Sequence, residues 1–223
     1  MSKTVAIIGM GRFGLSLVES FSKNNIDTIA IDHIKERAEK AGVYTPYLVV
    51  CDSTNEEALK EAGVHNADHV IVAMGQDEDF NISTSIVTVI KLKKIGCKKI
   101  TVRLDDDTFL ETMNLIGADD IIFPLKIASD KLANKLSSNS IVDYFKMTND
   151  FDAYEIIVDE DFNELAITKL NARAKFLINI LIIKRNGKVV VPNRETIIMP
   201  LDHLFIFGQK KDINKITKFF ENK

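Results

Sequence analysis

An apolar run, Val5-Ala6-Ile7-Ile8, breaks into Gly9-Met10-Gly11-Arg12-Phe13-Gly14, and no other stretch of the chain restricts the fold as much. Glycines at this spacing are needed where a strand turns sharply into a helix and where backbone must approach a pyrophosphate. The helix N-terminus that follows then offers unpaired N–H groups to phosphate oxygens. Residues 15–22 read as that helix, and the next apolar run, 28–31, ends on Asp32. Asp32 lies 23 positions after Gly9, near the roughly 20-residue spacing at which an acid accepts from ribose hydroxyls. The same aspartate could instead cap the helix beginning at Ile34. An acid here argues against a 2′-phosphate and leaves ATP, ADP, NAD and NADH all open.

Apolar runs alternate with amphipathic ones through the first 125 residues. Strands are expected over 4–8, 27–31, 47–50, 69–73, 99–103 and 120–123, and helices over 12–23, 34–41, 55–62, 79–95 and 107–116. Short, wholly apolar strands suit a parallel sheet covered on both faces, so the fold class is α/β, a Rossmann-like doubly wound sheet. Gly42, Gly63, Gly96 and Gly117 each follow a helix, where a left-handed cap residue is expected. The pattern changes after residue 125. Residues 126–136 read as a helix and 141–146 as a second short amphipathic helical piece, so 126–150 is expected to be a helical connector. Strands over 153–158, 178–184, 188–191 and 203–207, a hairpin at Asn186-Gly187 and a helix over 211–220 make 151–223 a small α+β domain.

Loops at the carboxyl edge of such a sheet gather around the ligand. That places Asp52 and Ser53, ending the third strand, beside the adenine, although Ser53 or Thr54 could equally cap the following helix. Ala73, Met74 and Gly75 end the fourth strand at the same edge, and Gly75 lets the chain pass close to a ligand. Arg12 occupies a variable position inside the glycine loop, where a guanidinium can reach a terminal phosphate bidentately. Arg103, ending the fifth strand, could add a second charge to the same pocket or face a neighbouring subunit.

Other function classes fit poorly. Net charge is −3, with 29 basic residues against 32 acidic ones, so no nucleic-acid partner is expected. Cys51 and Cys97 are unclustered and suggest neither a disulfide nor a metal site. The start of the chain leads straight into a strand, and no signal peptide is expected. The four histidines are scattered, and no acid/base pair for hydride transfer stands out. A nucleotide site without a catalyst suggests a sensor. A small NAD-dependent oxidoreductase and an NAD-sensing transcriptional regulator remain the alternatives.

The glycine loop with Arg12 and Phe13, Asp32, Cys51-Asp52-Ser53-Thr54 with Glu57 and Leu59, and Ile116-Gly117-Ala118-Asp119 before Ile121-Ile122-Phe123-Pro124 together resemble the RCK family. These are the cytoplasmic gating subunits of Ktr and Trk potassium transporters. Leu170-Asn171-Ala172-Arg173-Ala174-Lys175-Phe176, with Ile178-Asn179-Ile180, resembles the family's second domain. The resemblance implies a non-enzymatic regulatory ring, usually an octamer built from dimers, docked on the cytoplasmic face of the plasma membrane against a potassium-conducting subunit. It implies ATP or ADP at the glycine loop, with Arg12 and Arg103 near the phosphates, and a connector that swaps between protomers. It also implies cyclic di-AMP at the second domain, with Arg173 and Asn179 as contacts and Ala172, Ala174 and Ile178 as apolar lining. One position departs from the family. Leu125 stands where many Ktr relatives carry a glutamate that helps hold a cation between subunits, and leucine has no oxygen to offer a hard cation.

Overall fold

The computed structural model describes residues 3–75 and 82–221. The chain divides into two compact units, Met1–Lys126 and Ile127–Lys223.

In the first unit, strands β1 (Thr4–Ile8), β2 (Asp27–Asp32), β3 (Tyr47–Val50), β4 (His69–Val72), β5 (Ile100–Arg103) and β6 (Asp120–Ile122) form one sheet in the order β3-β2-β1-β4-β5-β6. Every pairing is parallel, with Ile8 of β1 beside both Ile31 and Val72. The helices between them are α1 (Arg12–Lys23), α2 (Lys35–Lys40), α3 (Glu56–Glu61), α4 (Ile82–Lys94) and α5 (Leu110–Leu115). Strand β1 shows why its sequence is apolar throughout. Val5 and Ile7 enter one core with Val18 of α1 and Ala30, while Ala6 and Ile8 enter another with Leu59, Val89 and Leu92. Both faces are covered, as a parallel sheet requires. The strand order reverses between β1 and β4, which places a crevice at the carboxyl ends of those two strands.

Gly63, Gly96 and Gly117 have the expected positive φ. Gly42 does not: α2 tightens into a 3-10 turn, Ala41–Val43, whose Ala41 carbonyl accepts from Tyr44 and Thr45, so the helix end is satisfied without a left-handed residue. The cap of α3 is likewise neither Ser53 nor Thr54 but Asn55, whose side chain accepts from Glu57 N and Ala58 N. The expected start of the fourth helix, 79–81, lies outside the described residues.

Helix α6 (Pro124–Leu136) has no buried residue and exposes Leu125, Ile127, Leu132 and Leu136. In the second unit, β7 (Ile141–Lys146), β8 (Phe151–Ile157), β10 (Ile178–Arg185), β11 (Lys188–Val190) and β13 (His203–Gln209) form an antiparallel sheet in the order β11-β10-β13-β8-β7. A short pair, β9 (Leu165–Ala166) and β12 (Ile197–Ile198), and helices α7 (Ile167–Leu170), α8 (Ala172–Phe176) and α9 (Ile213–Phe220) complete it. Asn186 and Gly187 both have positive φ and join β10 to β11, as the hairpin signal predicts.

The expected helical piece at 141–146 is a strand. A bulge between Ile141 and Asp143 shifts the register, so Ile141 and Tyr144 both reach the core. Two buried residues three apart imitate a helical period, which is why the sequence pattern misleads here.

Candidate nucleotide site

The glycine turn joins β1 to α1, and its three glycines answer to different constraints. Gly9 has φ +98°, and a Cβ there would lie 2.8 Å from Met74 Cγ. Gly14 is buried under the turn itself, where a Cβ would come within 1.8 Å of the Gly9 carbonyl oxygen. Gly11 is the N-cap of α1, and among the described residues, its chain neighbours aside, nothing lies within 4 Å of the position its Cβ would take. Its open face is toward the cleft. No side chain caps α1 and its first turn carries no acid, so its N-terminal N–H groups remain available to an anion.

Asp32, buried at the end of β2, holds this turn in place. Its Oδ2 accepts from Met10 N at 2.6 Å and its Oδ1 from Ile34 N at 2.9 Å. Helix α2 starts at Lys35 with Ile34 as its N-cap and has no side-chain cap, so Asp32 steadies the loop before the helix rather than capping it. The carboxylate oxygens keep further lone pairs for a hydroxyl donor. A hollow of about 370 Å³ opens beside it, lined by Gly9, Asp32, His33, Asp52, Ser53 and Met74 among others. Asp52 Oδ1 accepts from Thr54 N and Oγ1, both at 2.8 Å, and the backbone N–H does most to hold its carboxyl below the usual range. Ser53 is buried and shares a 2.8 Å hydrogen bond with Thr88 of α4. Cys51 also lines the hollow, and burial pushes its thiol up, so it stays protonated at neutral pH.

A second hollow of about 440 Å³ shares Gly9 and Met74 with the first. It is lined by Gly11, Arg12, Phe13, Ala73, Gly75 and Arg103, together with Arg37, Asp105, Pro124 and Leu125. Arg103 places Nε and one terminal nitrogen 3.0 and 2.8 Å from Asp105 Oδ1, and its guanidinium lies 5.6 Å from the Phe13 ring centre. A Cβ on Gly75 would meet that guanidinium at 3.2 Å, so Gly75 and Arg103 are closely packed. Arg12 is exposed on the rim, with no carboxylate partner among the described residues.

Of the expected residues, Gly9, Asp32, Asp52, Ser53 and Met74 meet in one hollow, and Gly11, Arg12, Phe13, Ala73, Gly75 and Arg103 in the other. Gly14 lines neither and serves packing. Arg37 was not anticipated. Arg37 sits in the charged run Lys35-Glu36-Arg37, which reads as a solvated helix face, and its half-burial alone gives it away.

In the second unit, a hollow of about 670 Å³ is lined by Thr168, Asn171, Ala172, Arg173, Ile178, Asn179 and Arg194 among others. Arg173 Nε donates to Asn179 Oδ1. Asn171 and Leu177, on either side of α8, both adopt left-handed backbone, with φ of 48° and 55°. Ala174 is exposed on α8 and does not line the hollow. Among the described residues, no helix is long and apolar enough to cross a membrane.

A TrkA-N domain matches residues 5–124 and a TrkA-C domain residues 155–221. The chain is 34% identical over 219 residues to Ktr system potassium uptake protein C of Bacillus subtilis (strain 168), covering 98% of this chain and 97% of the relative. It is 32% identical over 222 residues to Ktr system potassium uptake protein A of the same organism, covering 99% and 96%. Among solved structures, the RCK domain of GsuK superposes with a TM-score of 0.65 at 14% identity, covering 100% of this chain and 48% of that one. The GsuK channel bound to NAD gives 0.65 at 14%, covering 100% and 40%. The chain thus spans less than half of those GsuK chains, and at this identity they bear on fold alone.

Proposed function

The chain belongs to the family that joins a TrkA-N domain to a TrkA-C domain, Ktr potassium uptake proteins among them, and on that premise we propose that it is the cytoplasmic regulatory subunit of a potassium uptake system, switched by adenine nucleotide. The observation that carries this reading is the divided cleft around the glycine turn. Asp32 and the Asp52–Thr54 loop line the half that suits an adenosine, and arginines line the half that suits its phosphates. The chain is a binding protein in this reading, not an enzyme: what converges on the cleft is charge for holding phosphate.

A ligand moves a conformational equilibrium only by binding its two states unequally. ATP and ADP differ by one phosphoryl group, so the difference must be felt at the arginine end. Carrying a switch from mostly closed to mostly open takes about 5.5 kcal/mol of differential binding. One charge-assisted contact supplies about 1.5–3 kcal/mol. Several sites acting together reach the larger figure, which favours a homo-octameric ring docked against a membrane-embedded potassium-conducting subunit. The uncovered apolar residues of α6 support the same assembly, with a second copy covering the helix in a swapped arrangement.

The hollow at Arg173 is a second ligand site in this reading. Two arginines, Arg173 and Arg194, and three asparagines, Asn171, Asn179 and Asn193, with Ala172 and Ile178 as apolar floor, suit a doubly anionic dinucleotide such as cyclic di-AMP. Arg173→Ala is then expected to abolish cyclic di-AMP binding and leave ATP binding intact.

Titration calorimetry of the purified chain against ATP, ADP and NADH, with light scattering for the assembly, tests the proposal. Binding of ATP and ADP by an octamer is the expected result. A dimer that oxidises NADH with a small metabolite would overturn it in favour of an oxidoreductase.

A further inference from the structure

We infer that Arg185 is a positioning residue for the hollow at Arg173: through the Ile197 carbonyl it holds the segment 192–196, and with it Arg194, in place as one wall of the site. The inference rests on that hollow being a ligand site, as proposed above. Three stretches of the second unit line the hollow. Helices α7 and α8 bring Thr168 and Arg173, β10 brings Ile178 and Asn179, and the loop between β11 and β12 brings Arg194. The first two are tied together by the hydrogen bond from Arg173 Nε to Asn179 Oδ1. The third has little packing to fix it, since Val191 and residues 193–195 are all exposed. Arg185 itself is not among the lining residues, so it can act on a ligand only through this loop.

Hydrogen bonds do the fixing instead. Inside the loop, Asn193 Oδ1 accepts from Glu195 N at 2.9 Å and from Thr196 Oγ1 at 3.0 Å, which folds the segment back on itself. Its far end is bound on two sides. The Thr196 carbonyl accepts from Ile167 N, at the start of α7, at 2.9 Å, and the next carbonyl, that of Ile197, accepts from Arg185 Nη2 at 2.7 Å. The same guanidinium grips the fully buried Asp202, so the loop is moored to the interior through one planar, rigid group. A doubly anionic dinucleotide needs its two phosphates met at a set separation. Arg173 and Arg194 stand on different stretches, so their separation is decided by where the loop is held.

The test is a double-mutant cycle of Arg185→Lys and Arg194→Gln, read by calorimetry of the full chain with cyclic di-AMP. Thermal melting checks that each variant is folded at the assay temperature. Lysine keeps a charge for Asp202 but lacks the fork that also reaches the Ile197 carbonyl. Arg185→Lys is expected to weaken cyclic di-AMP about tenfold in the wild-type chain, and less than about threefold where Arg194 is already glutamine. A merely structural role gives the same loss in both backgrounds, and that result overturns the inference. So does a folded Arg185→Lys chain that binds as the wild type does. Should Arg185→Lys not fold, Asp202→Asn, which loosens the grip on the guanidinium, takes its place in the cycle with the same expectation. A wild-type chain that does not bind cyclic di-AMP overturns the second ligand site, and this inference with it.

Discussion

Gly14 and Gly9 are in contact across the turn so closely that a Cβ on Gly14 would lie 1.8 Å from the Gly9 carbonyl oxygen. Gly11, between them, faces no atom of the other described residues within 4 Å of its own Cβ position, its chain neighbours aside. Gly14 is therefore needed by the fold, while a side chain at Gly11 would meet no described atom and would point into the cleft of the proposed nucleotide site. Gly14→Ala is expected to destabilise the chain by at least about 2 kcal/mol through overpacking. Gly11→Ala should cost under about 1 kcal/mol yet weaken nucleotide binding substantially. Chemical denaturation and calorimetry on both variants decide it: equal stability losses would erase the distinction.

Arg12 is exposed and lines the cleft, and the proposed function gives it the terminal phosphate of a bound nucleotide. Arg12→Ala is expected to weaken ATP by about 1.5–3 kcal/mol, or about tenfold or more, and ADP by distinctly less. Equal losses for the two nucleotides in calorimetry would remove the phosphate-reading role.

The parallel sheet was legible because a buried parallel strand has no polar face: Val5 to Ile8 feed two cores and admit no other period. The glycine turn and Asp32 were legible for a similar reason, since backbone geometry and burial leave few residue types that serve. What the pattern hides is a residue whose role comes from its neighbours in space. Arg37 looks like any surface arginine in the sequence, and only the fold puts it in the lining of the same hollow as Arg12 and Arg103. The strand at 141–146 is hidden by its bulge, and the Asn55 cap by two hydroxyl residues that precede it and suit the same task.

Glu56, in the first turn of α3, lies 2.6 Å from Lys94 and 3.0 Å from Lys60. The hydrogen bond from Lys94, then that from Lys60, holds its carboxyl down at about 2, against an ordinary 4.5. A depressed acid stabilises the fold above its unfolded pKa. This contribution should be full above about pH 4.5 and lost as pH falls through about 2. Carboxyl NMR titration is expected to show the low value, and Lys94→Ala to move it upward. A Glu56 that titrates normally in the wild-type chain would show the pair to be open in solution.

Asp202 in the second unit is fully buried and is gripped by Arg185 through Nε–Oδ1 and Nη2–Oδ2 contacts, both 2.7 Å. Its Oδ2 also accepts from Met199 N at 2.8 Å, which fixes the turn before β13. Arg185→Ala leaves a buried carboxylate without its counter-charge and is expected to cost about 3 kcal/mol. Asp202→Asn, which removes the charge but keeps an acceptor for Met199, should cost less. Denaturant midpoints compare the two, and an equal or reversed order would count against the charge as the cause.

The carboxylate of Asp32 serves the fold as well as the cleft, because it accepts from Met10 N inside the glycine turn. A substitution there is therefore a double lesion: it frees the glycine turn to wander at the same time as it removes a hydroxyl acceptor. Lost binding in an Asp32 variant would report the entropy of an unlatched turn as much as a missing ribose contact.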